Sequence, residues 1–271
     1  MQITDKIAVV TGAASGIGLA VARELIQRRA KGVALVDRSE AVNEVANEMR
    51  RLRDDVQIQP FVGDVTDAGF RRHVYETVNR EIGLVSICVP AAGITRDRLA
   101  TKIDKESGVA SIYPIEDFRL VTEINLIAPV YWALEMVGHL AEARWKAGLK
   151  QWKPEEGIQG VVTFIGSVSS LGNKGQISYA AAKAGLEGAA ATLMGEAIFH
   201  GVRCGTIHPG YTDTPMVRAL SPEYIEKNIL PLTQLHRLIR PYEIADAVCF
   251  MITNSAVSGS LWADAGWHPS V

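Results

Sequence analysis

The sequence predicts an α/β protein built on a doubly wound parallel sheet of seven strands, with helices on both faces. Three observations lead to this fold class. Short apolar runs alternate with longer segments of helical periodicity from the first residues onward. The runs are apolar throughout, which is typical of parallel strands buried on both faces. The 271 residues, 48 % of them apolar, suit one hydrophobic core, so a single domain spanning residues 1–271 is expected.

The elements follow one another as alternating strands and helices. The predicted strands cover residues 7–10, 33–36, 57–62, 84–89, 160–165, 202–207 and 259–262. The predicted helices cover residues 17–29, 40–53, 70–82, 115 to beyond 136, 178–200 and 242–252. Two polar, interrupted stretches, residues 96–114 and 143–157, are interpreted as insertions. In a sheet of this kind, ligands bind beyond the carboxyl ends of the strands.

The composition excludes several classes of protein. The 28 Lys and Arg residues against 30 Asp and Glu residues give a net charge of −2, which provides no general positive field for nucleic acid or an anionic membrane. No membrane span or signal peptide is expected, because no apolar run is long enough. The distant cysteines Cys88, Cys204 and Cys249 predict small buried residues in a reducing compartment, so the cytoplasm is the expected location. The six histidines, which include His268, lack metal-ligand spacing, and no metal site is predicted.

A glycine-rich turn joins the first predicted strand to the first helix. Its sequence, Thr-Gly-Ala-Ala-Ser-Gly-Ile-Gly, includes the candidate cofactor-binding residues Gly12, Ser15, Gly16, Ile17 and Gly18. Glycine allows positive φ and a close approach of pyrophosphate to the backbone, and the following helix N-terminus offers unpaired N–H groups. The context therefore predicts a Rossmann-type dinucleotide site. A tight turn without phosphate is the alternative.

Asp37 provides an independent indication of the cofactor. It closes the second predicted strand, nineteen residues after Gly18, where a carboxylate accepts hydrogen bonds from an adenosine ribose. The same charge repels a 2′-phosphate, although Arg38 would soften that repulsion. The sequence thus favours NAD over NADP. A helix N-cap role for Asp37 is compatible with this interpretation.

Tyr179 and Lys183 share one face of a predicted helix because they lie four residues apart. A tyrosine, with an ordinary pKa of about 10, needs a nearby positive charge to exchange protons at neutral pH. An ammonium and the oxidised nicotinamide ring would each supply such a charge. The pair follows the fifth strand, on the side of the sheet where a cofactor is expected.

With these motifs in place, the chain closely resembles the short-chain dehydrogenase/reductase family, in its branch with the TGxxxGxG turn. The resemblance extends from Asp5 to Gly266 and implies NAD(P)-dependent hydride transfer between an alcohol and a carbonyl. It rests on residues 11–18, Asp64-Val65, Ala92-Gly93, Asn125, Ser167, residues 179–183 and Pro209-Gly210.

The resemblance also implies a role for each catalytic candidate. Tyr179 would be the general acid–base, and Lys183 would hold the nicotinamide ribose and lower the pKa of Tyr179. Ser167 would hydrogen-bond the substrate oxygen, and Asn125 would fix a water that links Lys183 to solvent. The further cofactor-binding candidates, besides the glycine turn, Asp37, Tyr179 and Lys183, are Asp64, Val65, Ala92, Gly93, Pro209, Gly210, Thr212 and Thr214.

The sequence departs from the family pattern at two functional positions. Pro90-Ala91 replaces asparagines that brace the loop beside the cofactor in the family. Ser167 lies twelve residues before Tyr179, one fewer than the usual interval, so Ser169 and Ser170 remain alternatives for the serine. We expect these changes to alter local geometry rather than the hydride chemistry.

The substrate is encoded only weakly. Residues 93–97 and 172–176 are similar to 3-oxoacyl-acyl-carrier-protein reductases, which usually take NADPH, so 3-oxoacyl thioesters and hydroxysteroid-like alcohols both stay open. Residues 211–237 are expected to form an apolar, mobile lid over the substrate. The resemblance implies a homotetramer or homodimer built on the Asn125 and Tyr179 helices.

An alternative from another class is a catalytically idle dinucleotide-binding sensor or scaffold. The combination of Ser167, Tyr179 and Lys183 argues against it, because a pure binder needs no proton-transfer set. The sequence contains neither a serine-hydrolase elbow nor a phosphate loop of the nucleotide-hydrolase type.

Overall fold

The computed structural model, which describes residues 1–267, contains the predicted parallel sheet of seven strands. Residues 268–271, with His268 and the last positions of the predicted domain, lie outside the described residues. The strands of the structure are β1 (Ile7–Thr11), β2 (Gly32–Asp37), β3 (Gln57–Val62), β4 (Ile87–Pro90), β5 (Thr101–Ile103), β6 (Ala110–Ile112), β7 (Gly160–Ile165), β8 (Val202–Pro209) and β9 (Gly259–Ala263). Their order in the large sheet is β3-β2-β1-β4-β7-β8-β9. The chain thus moves outward from β1 in one direction and then in the other, which opens a crevice at the carboxyl ends of β1 and β4.

The helices cover the sheet on both faces. They are α1 (Gly16–Gln27), α2 (Ala41–Leu52), α3 (Ala68–Glu81), α4 (Ile115–Thr122), α5 (Ala128–Lys146), α6 (Ile177–Ala197), α7 (Pro215–Arg218), α8 (Pro222–Tyr224) and α9 (Pro241–Thr253). Alternate side chains of one strand point to opposite faces, so Val10 packs with α1, α2 and α9 while Val9 packs with α3, α5 and α6. This arrangement confirms the predicted doubly wound fold and explains why the inner strands β1, β4 and β7 are buried at every position.

The two predicted insertions have different structures. The first contains an antiparallel hairpin of β5 and β6, whose six strand residues are all exposed. Strands of three residues are too short to show an alternating pattern, so periodicity does not predict them. The second contains the end of α5 and a 3₁₀ turn at Pro154–Glu156, held by an ion pair of 2.7 Å between Arg144 and Glu156.

α4 and α5 form one continuous helix, Ile115–Lys146, joined by a π-helical turn at Glu123–Ile127. Among the described residues, this helix alone is long and apolar enough to cross a membrane by length and composition. Its apolar character comes in part from core residues, because Trp132 and Met136 are fully buried against the sheet. We therefore interpret it as a core helix of the domain.

The three cysteines are free and buried, as the sequence predicts. Burial raises the pKa of each thiol to about 12, so none is a ready nucleophile at neutral pH.

Candidate active site

A cavity of about 670 Å³ lies in the crevice at the carboxyl ends of the central strands. It brings together residues that are far apart in the sequence. The predicted site residues that line it are Gly12, Ser15, Gly16, Ile17, Gly18, Asp37, Asp64, Val65, Ala92, Gly93, Ser167, Tyr179, Lys183, Pro209, Gly210, Thr212 and Thr214. Asn125 is buried and does not line the cavity.

The glycine turn is packed so tightly that side chains would not fit. Gly12 has φ +67°, and a Cβ atom there would lie 2.9 Å from the Cα of Ala92. A Cβ on Gly18 would collide with the carbonyl of Gly12. α1 then begins at Gly16 with no side-chain cap from Ser15 and no acidic residue in its first turn. The N-terminus of α1 therefore offers free N–H groups and a partial positive charge to an anion, which fits a pyrophosphate.

Asp37 ends β2 at the edge of the cavity and is held by two backbone donors. The N–H of Ala14 donates to Oδ2 at 3.0 Å, and the N–H of Ser39 donates to Oδ1 at 2.9 Å. These bonds link the carboxylate to the glycine turn and leave further acceptor capacity on both oxygens. The cap position of α2 is Glu40, so the alternative role of Asp37 as the cap of that helix is wrong.

Asp64 and Val65 follow β3 on the same side of the cavity. Thr66 donates to Oδ1 of Asp64 from its backbone N–H at 2.9 Å and from its hydroxyl at 2.7 Å. These hydrogen bonds lower the pKa of Asp64. The carbonyl of Val65 accepts a hydrogen bond from the buried indole of Trp132 at 2.9 Å, which anchors the loop to α5.

Ser167, Tyr179 and Lys183 meet at the other end of the cavity. Ser167 follows β7, and its hydroxyl lies close enough to the phenol of Tyr179 to lower the pKa of that phenol. Lys183 lies one turn further along α6, with Nζ 5.6 Å from the centre of the Tyr179 ring. Its ammonium donates to the carbonyl of Ile165 at 2.7 Å, which fixes it beneath the end of β7.

Neither alternative serine takes this position. The hydroxyl of Ser169 donates to the amide oxygen of Gln176 at 2.8 Å, and that of Ser170 lies 3.5 Å from the ring of His208. The backbone N–H of Ser169 donates to the Ser167 hydroxyl oxygen at 3.1 Å. Ser167 is thus the serine that the structure brings to Tyr179.

The pKa of Tyr179 differs in direction from the sequence-based expectation. Burial raises this pKa to about 12, the hydrogen bond from Ser167 lowers it, and the negative charge of Asp97 raises it. Burial also lowers the pKa of Lys183 to about 8. The expected lowering of the Tyr179 pKa by Lys183 is therefore wrong for the protein alone, because loss of hydration outweighs a cation that is bonded to Ile165.

Asn125 acts on the loop beside the site. It lies in the π-helical turn, where its amide nitrogen donates to the carbonyl of Ile94 at 2.7 Å and its oxygen accepts from the Ile94 N–H at 2.9 Å. A Cβ on Gly93 would lie 2.6 Å from the same oxygen. The side chain thus fixes the Gly93–Ile94 loop, and its part in a water relay stays a prediction.

The loop after β4 is braced without the family's asparagines. Pro90 ends β4 opposite Thr11 of β1 and has no N–H to donate to the ladder. The hydroxyl of Thr11 accepts a hydrogen bond from the N–H of Ala92 at 3.1 Å. Thr11 therefore positions Ala92 against Gly12, and the departure from the family pattern is compensated locally.

The segment after β8 forms a further wall of the cavity. Gly210 donates to the carbonyl of Ala263 at 3.0 Å, and a Cβ on Gly210 would lie 2.7 Å from the carbonyl of Asp264. The hydroxyl of Thr212 donates to the carbonyl of Gly210 at 3.0 Å. Thr214 caps α7 and places its methyl group over Gly16.

Several lining residues were not candidates in the sequence. Asp97, Asn173, Gln176, Tyr211 and Met216 all line the cavity near Ser167 and Tyr179. Gln176 donates to the carboxylate of Asp97 at 2.8 Å and accepts from Asn173 at 3.1 Å. Asp97 and Gln176 belong to residues 93–97 and 172–176, the two segments that resemble 3-oxoacyl-acyl-carrier-protein reductases. Nothing in the sequence indicated that these two segments are in contact.

This arrangement fits a dinucleotide along the crevice, with its pyrophosphate at the glycine turn and its reactive end beside Tyr179. A family model described as short chain dehydrogenase matches residues 6–225. The chain belongs to the short-chain dehydrogenase family. Membership makes this short-chain dehydrogenase an oxidoreductase that acts on an alcohol or carbonyl group with a nicotinamide cofactor.

Relatives of this short-chain dehydrogenase cover almost its whole length. It is 32 % identical over 257 residues to the 3-oxoacyl-[acyl-carrier-protein] reductase FabG of Escherichia coli (strain K12), covering 94 % of this chain and 93 % of the relative. It is 30 % identical over 270 residues to the cis-4-hydroxycyclohexanecarboxylate dehydrogenase of Sinomonas cyclohexanicum, covering 98 % of both proteins. These relatives are named as enzymes and give no support to the idle sensor or scaffold.

A solved structure shows the same fold. The crystal structure of a short-chain type dehydrogenase/reductase from Mycobacterium marinum matches with a TM-score of 0.82 and 23 % identity, over 98 % of this chain and 96 % of that one. The predicted Rossmann-type fold of this short-chain dehydrogenase is therefore confirmed.

Proposed function

We propose that this short-chain dehydrogenase transfers a hydride between NAD and a carbonyl or secondary alcohol, with Tyr179 as the proton-transfer group. One observation carries the proposal. Ser167, Tyr179 and Lys183 meet at one end of a cavity whose other end holds the glycine turn and Asp37. A cofactor bound along this cavity would present its reactive ring to the phenol.

In the proposed mechanism, each side chain has a separate task. The bound nicotinamide supplies or accepts the hydride. Tyr179 donates its phenolic proton to the carbonyl oxygen in reduction and removes the hydroxyl proton in oxidation. Ser167 donates a hydrogen bond to the same oxygen and stabilises the negative charge that develops there.

Lys183 is proposed to bind the ribose hydroxyls and to hold a positive charge near the phenol. Because burial lowers the pKa of Lys183 to about 8, the ammonium can exchange a proton near physiological pH. Asn125 is proposed to keep the Gly93–Ile94 loop in place and to fix the water that links Lys183 to solvent.

The preference for NAD rests on Asp37. Its two oxygens are fixed by Ala14 and Ser39, so the carboxylate cannot turn away from a ribose 2′-substituent. Two facts favour NADPH instead. The FabG relatives usually take NADPH, and Arg38, whose positive charge would attract a 2′-phosphate, also lines this end of the cavity. Local charge repulsion is the stronger argument, since a carboxylate and a phosphate would face each other directly.

We expect NADH to bind more tightly than NADPH to the wild-type protein. In the Asp37→Ser variant, NADPH affinity should rise by about tenfold because the repulsion is removed. Fluorescence titration of each cofactor measures this change, with Glu40→Gln as a variant that removes a nearby charge outside the cavity. Tighter NADPH binding by the wild type, or the same cofactor ratio in Asp37→Ser, would contradict the assignment.

The proposed substrate is a neutral to moderately apolar carbonyl compound of medium size, with 3-oxoacyl thioesters as the first candidates. The name of the Escherichia coli relative supports this class, and Met216 and Leu220 add apolar lining to the cavity. We propose that residues 211–237, which contain both, form a lid that closes over the substrate. Hydroxysteroid-like alcohols remain the second class.

A substrate panel tests the proposed function. Initial rates are measured with 3-oxoacyl thioesters, simple ketones, hydroxysteroids and sugars, each with both cofactors. We expect turnover of a neutral carbonyl compound that depends on NADH. Absence of turnover throughout the panel, in protein that binds NADH, would contradict the proposed chemistry.

We propose a cytoplasmic homotetramer or homodimer. The helix of Asn125 exposes apolar side chains at Leu120, Ile127, Tyr131 and Leu134. The neighbouring helix α6 exposes small residues, which allow close helix pairing. A second copy would cover both surfaces, and the mass in solution tests this assembly.

A further inference from the structure

Asp97 places a negative charge at the substrate end of the cavity. It lies on the loop that follows Gly93 and lines the cavity with Ser169, Gln176 and Tyr211. Its Oδ2 accepts a hydrogen bond from the amide of Gln176 at 2.8 Å. This bond joins two loops separated by 79 positions in the sequence and fixes the carboxylate at the cavity wall.

The neighbouring arginines form ion pairs with another carboxylate rather than with Asp97. Arg96 and Arg98 both turn toward Asp117 of α4, with nitrogen-to-oxygen distances of 4.0 Å and 3.5 Å. Asp97 forms no ion pair within the part of the chain that the structure describes. The cavity's buried cation, Lys183, is bonded to the carbonyl of Ile165.

The charge of Asp97 reaches the reacting groups. It raises the pKa of Tyr179 and also that of Tyr211, although burial is the larger cause for both phenols. A substrate whose carbonyl oxygen lies beside Tyr179 would place its remaining atoms within the same field. A carboxylate on such a substrate would face a like charge, which the water at the exposed side of Asp97 screens only in part.

We propose that Asp97 determines substrate specificity by excluding carbonyl compounds that carry a carboxylate or another anion near the reacting carbon. The inference rests on the proposed function and narrows its substrate class to neutral compounds. Binding uses the wall formed by Asp97 and Gln176, which offers hydrogen-bond acceptors to neutral donors. The negative charge of Asp97 thereby disfavours the binding of carbonyl compounds that are free acids.

A matched pair of ketones tests the inference in the full-length protein. The neutral compound is methyl 4-oxocyclohexanecarboxylate, and the anionic compound is 4-oxocyclohexanecarboxylate. In the wild type, kcat/KM for reduction should favour the ester. In Asp97→Asn, which keeps an acceptor for Gln176, the ratio of ester to acid should fall by about tenfold, mainly through KM of the acid.

Two further variants separate charge from structure. Glu106→Gln removes an equal charge from the exposed turn between β5 and β6 and should leave the ratio unchanged. Gln176→Ala breaks the hydrogen bond but keeps the carboxylate, so it should retain the preference for the ester. If Asp97 only braced the loop, Gln176→Ala and Asp97→Asn would alter the rates alike and leave the ratio constant.

The outcomes distinguish this inference from the proposed function. An unchanged ratio in Asp97→Asn, or a wild type that prefers the acid, overturns the role of Asp97 even when neutral ketones are reduced. Where a ketone binds without turnover, its inhibition constant against the best substrate of the panel replaces kcat/KM in the same comparison. Failure of all neutral carbonyl compounds contradicts the proposed function instead.

Discussion

The Tyr179→Phe variant is expected to lose about a thousandfold in kcat while binding NADH as the wild type does. General acid–base groups contribute about a hundredfold to ten-thousandfold to rate, and this variant removes the proposed proton donor without removing the ring. The phenol is partly buried beside Ser167 in the wall of the cavity, so the substitution removes one hydroxyl and keeps the ring in place. Steady-state rates and fluorescence titration of NADH measure the two effects separately.

The pH dependence of alcohol oxidation is a second measurement on the same variant. Because oxidation needs the phenolate, wild-type kcat/KM should rise with pH, and this rise should be absent in Tyr179→Phe. Tyr242→Phe, which removes an exposed phenol on α9, should behave as the wild type. Equal turnover in the wild type and Tyr179→Phe would remove Tyr179 from the mechanism.

The Lys183→Met variant is expected to lose both rate and cofactor affinity by about a hundredfold, because ribose binding and the positive charge are removed together. Loss of rate alone, with the affinity for NADH unchanged, would argue against the ribose contact. Lys183→Ala should show the same two losses with an added packing defect. Titration of NADH and single-turnover rates give the affinity and the chemical step separately.

The same variant should be more stable than the wild type at pH 7. The pKa of Lys183 falls from 10.5 to about 8 on burial, which corresponds to about 3 kcal/mol at about 1.4 kcal/mol per pH unit. Loss of the hydrogen bond to Ile165 offsets about 1 kcal/mol of this gain, leaving about 2 kcal/mol. Urea unfolding measures the difference in the free energy of unfolding.

The sign of the pH effect follows from the lowered pKa. Between about pH 8 and pH 10.5, the unfolded chain keeps a proton that the folded protein has released, so wild-type stability rises with pH through this window. The advantage of Lys183→Met should therefore shrink as pH increases. If the difference in the free energy of unfolding between the two proteins stays constant from pH 7 to pH 10, the lowered pKa of the buried Lys183 ammonium is contradicted.

The sequence predicted the parts of the site that are local in the chain. The glycine turn, Asp37 and the Tyr179–Lys183 pair each depend on one strand end or one helix face, which periodicity identifies. The seven-stranded sheet follows from the same alternation, and the structure contains it. These features need no knowledge of long-range contacts.

Features that depend on distant contacts could not be predicted. Asp97 and Gln176 meet only because the loops after β4 and β7 fold over the same crevice. The raised pKa of Tyr179 depends on burial by surrounding elements, which outweighs the lysine one turn away. The role of Asn125 as a brace for Ile94 depends on a π-helical turn that carries no simple sequence signal.

A crystal structure of the protein with NADH and a substrate analogue tests the central claim most directly. The account predicts the phenol of Tyr179 and the hydroxyl of Ser167 within hydrogen-bonding distance of the analogue's oxygen, beside the reactive carbon of the nicotinamide. Asp37 should contact the adenosine ribose in the same complex. A cofactor bound with its nicotinamide away from Tyr179 would contradict the proposed mechanism.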